Sequence, residues 1–218
     1  LVLMTTFVVA AFYCLEALSS ERRDRSVLFW KSLPVSDRTT VLAKATIPLG
    51  VLPLITVAAV VATQLAIFLI SAVTLLVLGQ GVAPLWGELH LFRLWTAMLY
   101  GVDIMMLWHA PVYGFLLLVS GWARRTAVLW AVLPLLALGV VEKLTMNTAY
   151  VASMVTYRLL GWYGKAFAIP AREEIPFSPL NRLTPGRILG SADLWLGLAF
   201  AALCLAAAAR LRRQREPG

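Results

Sequence analysis

Apolar stretches separated by short polar ones run along most of the chain. Five of them predict membrane-spanning helices, and these cover residues 1–15, 54–78, 95–122, 126–141 and 194–209. A helix needs ~20 apolar residues to cross the hydrocarbon layer of a bilayer, so the first and fourth stretches are slightly short. The pattern predicts an all-α fold, a polytopic membrane helix bundle in which residues 1–218 form a single transmembrane domain.

The second stretch is too long to be one straight crossing. Residues 45–87 contain no charged side chain, and a continuous helix of that length would measure ~65 Å, about twice the hydrocarbon thickness. Helix-interrupting residues lie on both sides of the predicted crossing, with Pro48, Gly50 and Pro53 before it and Gly79, Gly81 and Pro84 after it. We therefore expect a kinked or interfacial start and a sharp end.

Composition supports a membrane protein. Hydrophobic residues make up 61% of the chain and charged residues 14%, with a mean hydropathy of +0.82, whereas soluble domains are about half apolar and about a quarter charged. The net charge of +8 is spread over short runs between apolar stretches. That distribution favours a lipid bilayer as the partner and predicts no nucleic-acid binding.

The basic residues also predict the orientation, because Lys and Arg in short loops remain cytoplasmic. Loops predicted to be cytoplasmic are dense in such residues, including Arg22, Arg23, Arg25, Arg124, Arg125, Arg210, Arg212, Arg213 and Arg215. The long segment 143–193 carries its basic residues more sparsely and is predicted to be extracytoplasmic. Because residue 1 already lies in an apolar run, we expect one upstream helix, which makes six in the full chain.

Residues 19–45, between the first two spans, predict a cytoplasmic elbow of two short helices. In the first helix Glu21 and Arg25 have the spacing of an i,i+4 ion pair, and Phe29, Trp30 and Leu33 form an apolar stripe. From these physical features alone, such an amphipathic elbow is most simply an interfacial anchor for the two spans.

The second helix of the elbow has its own start signal. Pro34 ends the first helix, Ser36 is a suitable N-cap, and Asp37 would lie at the positive end of the next helix. This helix would lead directly into the membrane.

The elbow sequence ERRDRSVLFWKSLPVSD, followed by Lys44 and a Pro-interrupted span, resembles the loop after the second helix in permease subunits of bacterial type-2 ATP-binding-cassette transporters. The match covers residues 20–44, and the spacing of the spans agrees over the rest of the chain. The segment 143–193 is similar to the external region between the fifth and sixth helices of that family.

This resemblance implies two permeases per transporter, so a second copy of the chain or a homologue is an expected partner. It also implies a coupling helix, residues 21–33, that docks onto a separate ATPase subunit. That subunit would hold ATP and Mg²⁺, because the sequence contains no G-x-x-x-x-G-K-[ST] phosphate loop. We expect a multi-pass exporter permease of the bacterial inner membrane that is not an enzyme and binds no cofactor itself.

Carried over to this sequence, the ATPase-coupling residues are Glu21, Arg22, Arg25, Leu28, Phe29, Trp30, Lys31, Leu33, Pro34 and Asp37. The substrate is not carried over, because Arg25 and Ser26 stand where many members of the family have Gly and Thr. An apolar cavity wall would suit drugs, lipids and hydrophobic peptides alike, so the substrate stays open.

Two ionisable residues lie inside the third predicted span, where such residues are functional candidates by default. Asp103 and His109 are about 120° apart around a helix and do not share a face. Asp103 fits either a cavity wall or a hydrated site near the outer interface, and for His109 a packing role is favoured. We also expect Gly197 and Ala201 to permit a close helix contact.

Two other functions are compatible with these residues. A membrane-embedded hydrolase or lipid-modifying enzyme would use Asp103, His109, Glu88 and His90, and a non-catalytic scaffold would use none of them. With just two histidines and no H-E-x-x-H pattern, the sequence predicts no metal site.

Overall fold

A computed structural model describes residues 2–20, 36–83, 91–123, 126–167 and 183–214. The regular secondary structure within these ranges is helical, apart from one isolated β-bridge between Phe167 and Leu183. The prediction of an all-α fold is confirmed. The first predicted elbow helix, residues 21–33, lies outside the described residues, as do Glu88 and His90.

The helices agree closely with the apolar stretches. In chain order they are α1 (Val2–Ala17), α2 (Asp37–Thr46), α3 (Leu52–Val77), α4 (Leu91–Trp122), α5 (Ala127–Met146), α6 (Tyr150–Ala166), α7 (Pro185–Leu189) and α8 (Ala192–Gln214). Among the described residues, four helices are long and apolar enough to cross a membrane, with α2 and α3 counted together as one. The fifth predicted span is the shorter apolar helix α1.

A π-helical turn lies before α3, where the sequence predicts a kinked or interfacial start. Ile47–Val51 joins α2 to α3 without interrupting the helix, and Pro48 occupies its first turn. A π-turn accommodates the proline ring and locally redirects the helix axis. The other end of α3 is as expected, because Gly79 adopts a φ of 72° directly after the last turn and so stops the helix.

Helix α4 lies at the centre of the bundle. It packs most extensively on α8 and next on α1, and it carries fully buried Trp108, Leu117 and Ser120. A Cβ at Gly114 would lie 3.1 Å from the backbone oxygen of Ala201 on α8. The small residue expected at position 201 therefore does permit a close helix contact, and the partner is α4 of the same chain.

Two groups of buried residues fill the bundle along α4. One group lies beside the C-terminal half of α4 and includes Cys14, Tyr113, Leu117 and Ala127. The other lies beside the middle of α4 and includes Trp108, Trp162, Ile188 and Leu194. We call the end of the bundle near the last turns of α1, α4 and α8 the elbow end, because α2 begins there. The opposite end, toward the first turns of α4 and α8, is called the far end.

Candidate functional site

Of the ten residues predicted to couple to an ATPase, Asp37 is described in the structure. The other nine, from Glu21 to Pro34, lie outside the described residues, and their role stays a prediction. The described residues do define the site where the elbow returns to the bundle. This site is the candidate functional site.

Helix α2 begins as the sequence predicts. The Oγ of Ser36 accepts a hydrogen bond from the backbone N–H of Thr39 at 3.2 Å, and Asp37 lies in the first turn. The carboxylate of Asp37 then accepts a hydrogen bond from Nε of Arg212, near the end of α8, at 3.1 Å. The first residue of α2 is therefore tied to α8 by an ion pair.

Two further contacts hold α2 on the bundle. Val41 is buried against Leu18, Ala208 and Ala209. One turn later, Nζ of Lys44 donates a hydrogen bond to the carbonyl of Ala17 at the end of α1, where a cation also interacts favourably with the helix dipole. Helix α2 is thus fixed to both α1 and α8.

Ser120 fixes α4 at the same end. Its buried hydroxyl accepts hydrogen bonds from the backbone N–H groups of Leu18 and Ser19, both at 3.1 Å. This role of Ser120 is not predicted from the sequence, because one serine in an apolar helix gives no signal of its partner. The elbow end therefore joins the ends of α1, α4 and α8 to the start of α2.

A second polar cluster lies at the far end. The Asp193 carboxylate, at the start of α8, accepts a hydrogen bond from the Tyr157 hydroxyl at 2.7 Å and forms an ion pair with Lys165. Arg158 also donates to the Asp193 carbonyl at 3.2 Å. Burial alone would lower the pKa of Lys165, but its hydrogen bonds with Asp193 and Tyr157 raise it. These contacts hold α6 against α8.

Arg158 occupies a tight position in this cluster. Its guanidinium lies 4.7 Å from the centre of the Trp108 ring, and burial lowers the pKa of Arg158 while the Asp193 charge opposes that shift. A Cβ at Gly197 would lie 2.0 Å from Nη2 of Arg158. The glycine at position 197 therefore makes room for an arginine side chain.

His109 connects α4 to α6. It is 2% exposed, its Nδ1 lies 2.8 Å from the carbonyl oxygen of Met105, and its Nε2 lies 3.2 Å from that of Leu159. Trp108 beside it donates to the carbonyl of Arg158 at 2.9 Å. One ring nitrogen of His109 therefore faces a carbonyl of its own helix α4, and the other faces a carbonyl of α6. His109 bridges the two helices.

Asp103 has different surroundings from His109. Its side chain is exposed on α4, whereas His109 lines a cleft of about 200 Å³ with Phe7, Leu159 and Trp162. The described residues contain no group of three or more His, Cys, Asp or Glu side chains that could hold a metal ion. No described feature brings Asp103 and His109 into one reactive site.

Glu142 was also missed by the sequence analysis. One carboxylate oxygen accepts from the Thr148 hydroxyl at 2.7 Å, and the other accepts from the Val151 N–H at 2.8 Å. Both donors lie around the start of α6, so Glu142 of α5 caps the positive end of the next helix. A capping residue placed on the preceding helix has no local sequence signature.

A comparison with known proteins finds no family model, no curated relative and no solved structure that matches the chain. The resemblance to type-2 permeases therefore rests on the elbow motif and the spacing of the helices.

Proposed function

We propose that this chain is a permease subunit of an ATP-driven exporter of the type-2 ATP-binding-cassette class in a bacterial inner membrane. Its five spans would be α1, α3, α4, α5 and α8, and the elbow would lie in the cytoplasm. The dense run of Arg210, Arg212 and Arg213 at the end of α8 supports this orientation under the positive-inside rule, because the basic residues toward the opposite end are spread over the long segment 143–193.

The observation that carries the proposal is the attachment of α2. A coupling element must be rigid and must be joined to the helices that move. Helix α2 is the second helix of the elbow, is paired to α8 through Asp37 and Arg212, and continues into α3 through the π-turn. Motion imposed on the elbow would therefore reach α3 and α8 directly.

The mechanism is alternating access. When two ATPase subunits close on ATP, they push the elbows of two permeases, and α2 transmits this displacement into each helix bundle. The cavity between the permeases then changes the side of the membrane to which it opens. ATP and Mg²⁺ are bound by the ATPase subunit. This chain contributes the surface that contacts that subunit and the helix α2 that transmits its displacement.

The test replaces both aromatic residues of the elbow stripe. Phe29→Asp with Trp30→Asp should release an ATPase that copurifies with the full-length protein, because two charges would disrupt the apolar contact. Membrane insertion should remain intact, since residues 21–35 lie between spans. The matched control is Phe92→Asp, an exposed aromatic in the first turn of α4 at the far end.

The control variant should retain the ATPase to the same extent as the wild type. Undiminished copurification with the double variant would contradict the role assigned to the elbow. A membrane hydrolase or a scaffold would show no dependence on the two aromatic residues in this assay.

A further inference from the structure

Three side chains of α4 face backbone carbonyls of α6, and they belong to Tyr100, Trp108 and His109. The indole N–H of Trp108 donates to the carbonyl of Arg158 at 2.9 Å, and the hydroxyl of Tyr100 donates to that of Ala166 at 3.3 Å. Both groups are donors at neutral and mildly acidic pH. His109 differs from them, because an imidazole nitrogen donates only while it carries a proton.

Both ring nitrogens of His109 face an acceptor that has no hydrogen to donate. Nδ1 lies 2.8 Å from the carbonyl oxygen of Met105 on α4, and Nε2 lies 3.2 Å from that of Leu159 on α6. A neutral imidazole carries one N–H, so one nitrogen directs a lone pair at a carbonyl oxygen whichever tautomer forms. The imidazolium ion donates from both nitrogens. Both carbonyls therefore accept a hydrogen bond from the ring only when it is positively charged.

The groups around His109 differ in charge. From α1 it meets the uncharged ring of Phe7, with ring centres 4.7 Å apart, and on its own helix the phenol of Tyr113, with ring centres 6.3 Å apart. From α6, the positive charge of Arg158 acts against a second positive charge at His109. The Asp193 carboxylate, at the start of α8, offsets part of the charge of Arg158. Among the described residues, carbonyl dipoles rather than a directly bonded carboxylate therefore stabilise a charged ring.

Two opposing effects set the charge of His109. The residue is 2% exposed, and burial favours an uncharged ring, whereas the two facing carbonyls favour a charged one. A histidine balanced between such effects can change its charge between about pH 5 and pH 8, where histidine ordinarily titrates. Proton exchange with water requires only a transient opening of the contact between α4 and α6.

We infer that His109 is a pH-dependent switch: when its ring binds a second proton, the added N–H completes the hydrogen bonds to both carbonyls and holds α6 more firmly on α4. The step adds one proton from water to the unprotonated ring nitrogen and breaks no other covalent bond of the protein. By linkage, firm contact with α6 also strengthens the binding of the proton. This switch goes beyond the proposed transport function, since it is an equilibrium within the chain and needs neither an ATPase nor a substrate.

Nitrogen NMR of the full-length protein in lipid nanodiscs, with ¹⁵N-labelled histidine, tests the charge of the ring. The signal of His109 is the one that His109→Gln removes and that His90→Gln leaves in place. The ring should have one protonated nitrogen at about pH 8 and two at about pH 5. A ring that is still neutral at the lower pH, or already charged at the higher one, would overturn the inference.

Hydrogen exchange in the same nanodiscs measures the consequence for α6. Protection of α6 amides, residues 150–166, is corrected for the intrinsic exchange rate at each pH. It should be about three- to tenfold greater at about pH 5 than at about pH 8, because local opening depends on the contacts that hold an element. In His109→Gln, whose side chain does not titrate, protection of α6 should be the same at both pH values.

The matched control is Tyr100→Phe, which removes a donor to α6 that does not depend on pH in this range. This variant should lower the protection of α6 by a similar factor at both pH values and retain the pH dependence of the wild type. Loss of that dependence in Tyr100→Phe, or its persistence in His109→Gln, would overturn the inference. Neither result bears on the ATPase-release experiment, so the proposed function is judged separately.

Discussion

Helices α3 and α4 are both long and apolar, yet they are buried to very different extents in the bundle. Among the 18 most apolar consecutive residues of each helix, 67% are buried in α4, whereas 0% are buried in α3 counted with α2. On α4, Ser120 accepts a hydrogen bond from the end of α1, and Gly114 lies against Ala201 of α8. The comparison shows that apolar character identifies a candidate span but does not say what surrounds it.

The polar groups of α3 fit an apolar surrounding. Thr63 and Thr74 donate their hydroxyl hydrogens to carbonyls one turn earlier in the same helix. Thr56 is paired with Thr6 at 2.7 Å, and Gln64 accepts from Trp95 at 2.6 Å. These hydroxyl and carbonyl groups thus have hydrogen-bond partners within the protein, which would suit a helix that faces lipid.

The largest effect is expected from Trp108→Ala on α4. This residue is fully buried, so the substitution leaves a large cavity, removes the hydrogen bond to Arg158, and should destabilise the protein by about 3–5 kcal/mol. On α3, Leu69→Ala changes a side chain that is 64% exposed and should shift stability by less than ~0.5 kcal/mol. Unfolding in detergent or lipid measures both. Equal losses would contradict the central position of α4.

A charge at the middle of α3 should have the next largest effect. Ile67 is 58% exposed, and Ile67→Arg should raise the free energy of insertion by ~2.5–3.5 kcal/mol if lipid surrounds this helix. Val77→Arg, in the last turn, should cost much less, because the long side chain reaches the interface. A membrane-insertion assay compares the two. The same small cost at both positions would show that α3 does not span the hydrocarbon.

Glycine substitutions compare tight and open helix surfaces. Gly114→Ala places a Cβ against the backbone of Ala201 and should destabilise the protein by about 1–3 kcal/mol through overpacking. A Cβ at Gly139 on α5 would have no neighbouring atom within 4 Å. Gly139→Ala should therefore be neutral or stabilise the protein by up to ~1 kcal/mol. Thermal unfolding of the two variants gives the comparison. A harmless Gly114→Ala would remove the evidence for the close α4–α8 contact.

The smallest effect concerns the ion pair of Lys165 at high pH. Its hydrogen bonds raise the pKa of Lys165 above its ordinary value of 10.5, so the contribution to stability is complete below that pH and is lost as pH rises through the raised pKa. The pair is partly exposed, and the contribution is at most ~1 kcal/mol. The stability difference between the wild type and Lys165→Gln should be constant near neutral pH and shrink above about pH 10.5. A difference that persists at higher pH would contradict this.

Much of the fold could be predicted because its signals are local. Ser36 caps α2, Gly79 ends α3, and Pro48 lies in the π-turn that leads into α3, since each acts on the backbone within about one turn. The start of α4 was less accurate, because this helix begins at Leu91, on the other side of the polar residue Arg93 at which the predicted span stopped.

The polar contacts between helices were harder to predict. Sequence analysis treated Asp37 as a contact for another subunit, and in the structure its carboxylate is paired with Arg212. Ser120 and Glu142 were not singled out, although each satisfies two backbone N–H groups. Their partners lie on other helices or across a turn, where spacing along the chain carries no signal.

The sequence by itself determined that this is an all-α chain with several helices suited to a membrane, because hydropathy, prolines, glycines and caps act on neighbouring residues. Only the tertiary structure decided that α4 is enclosed while α3 is exposed, and that α8 is paired at both ends. Lipid is as apolar as a protein core, so hydropathy alone does not distinguish a buried helix from a lipid-facing one. Packing and polar pairing made that distinction.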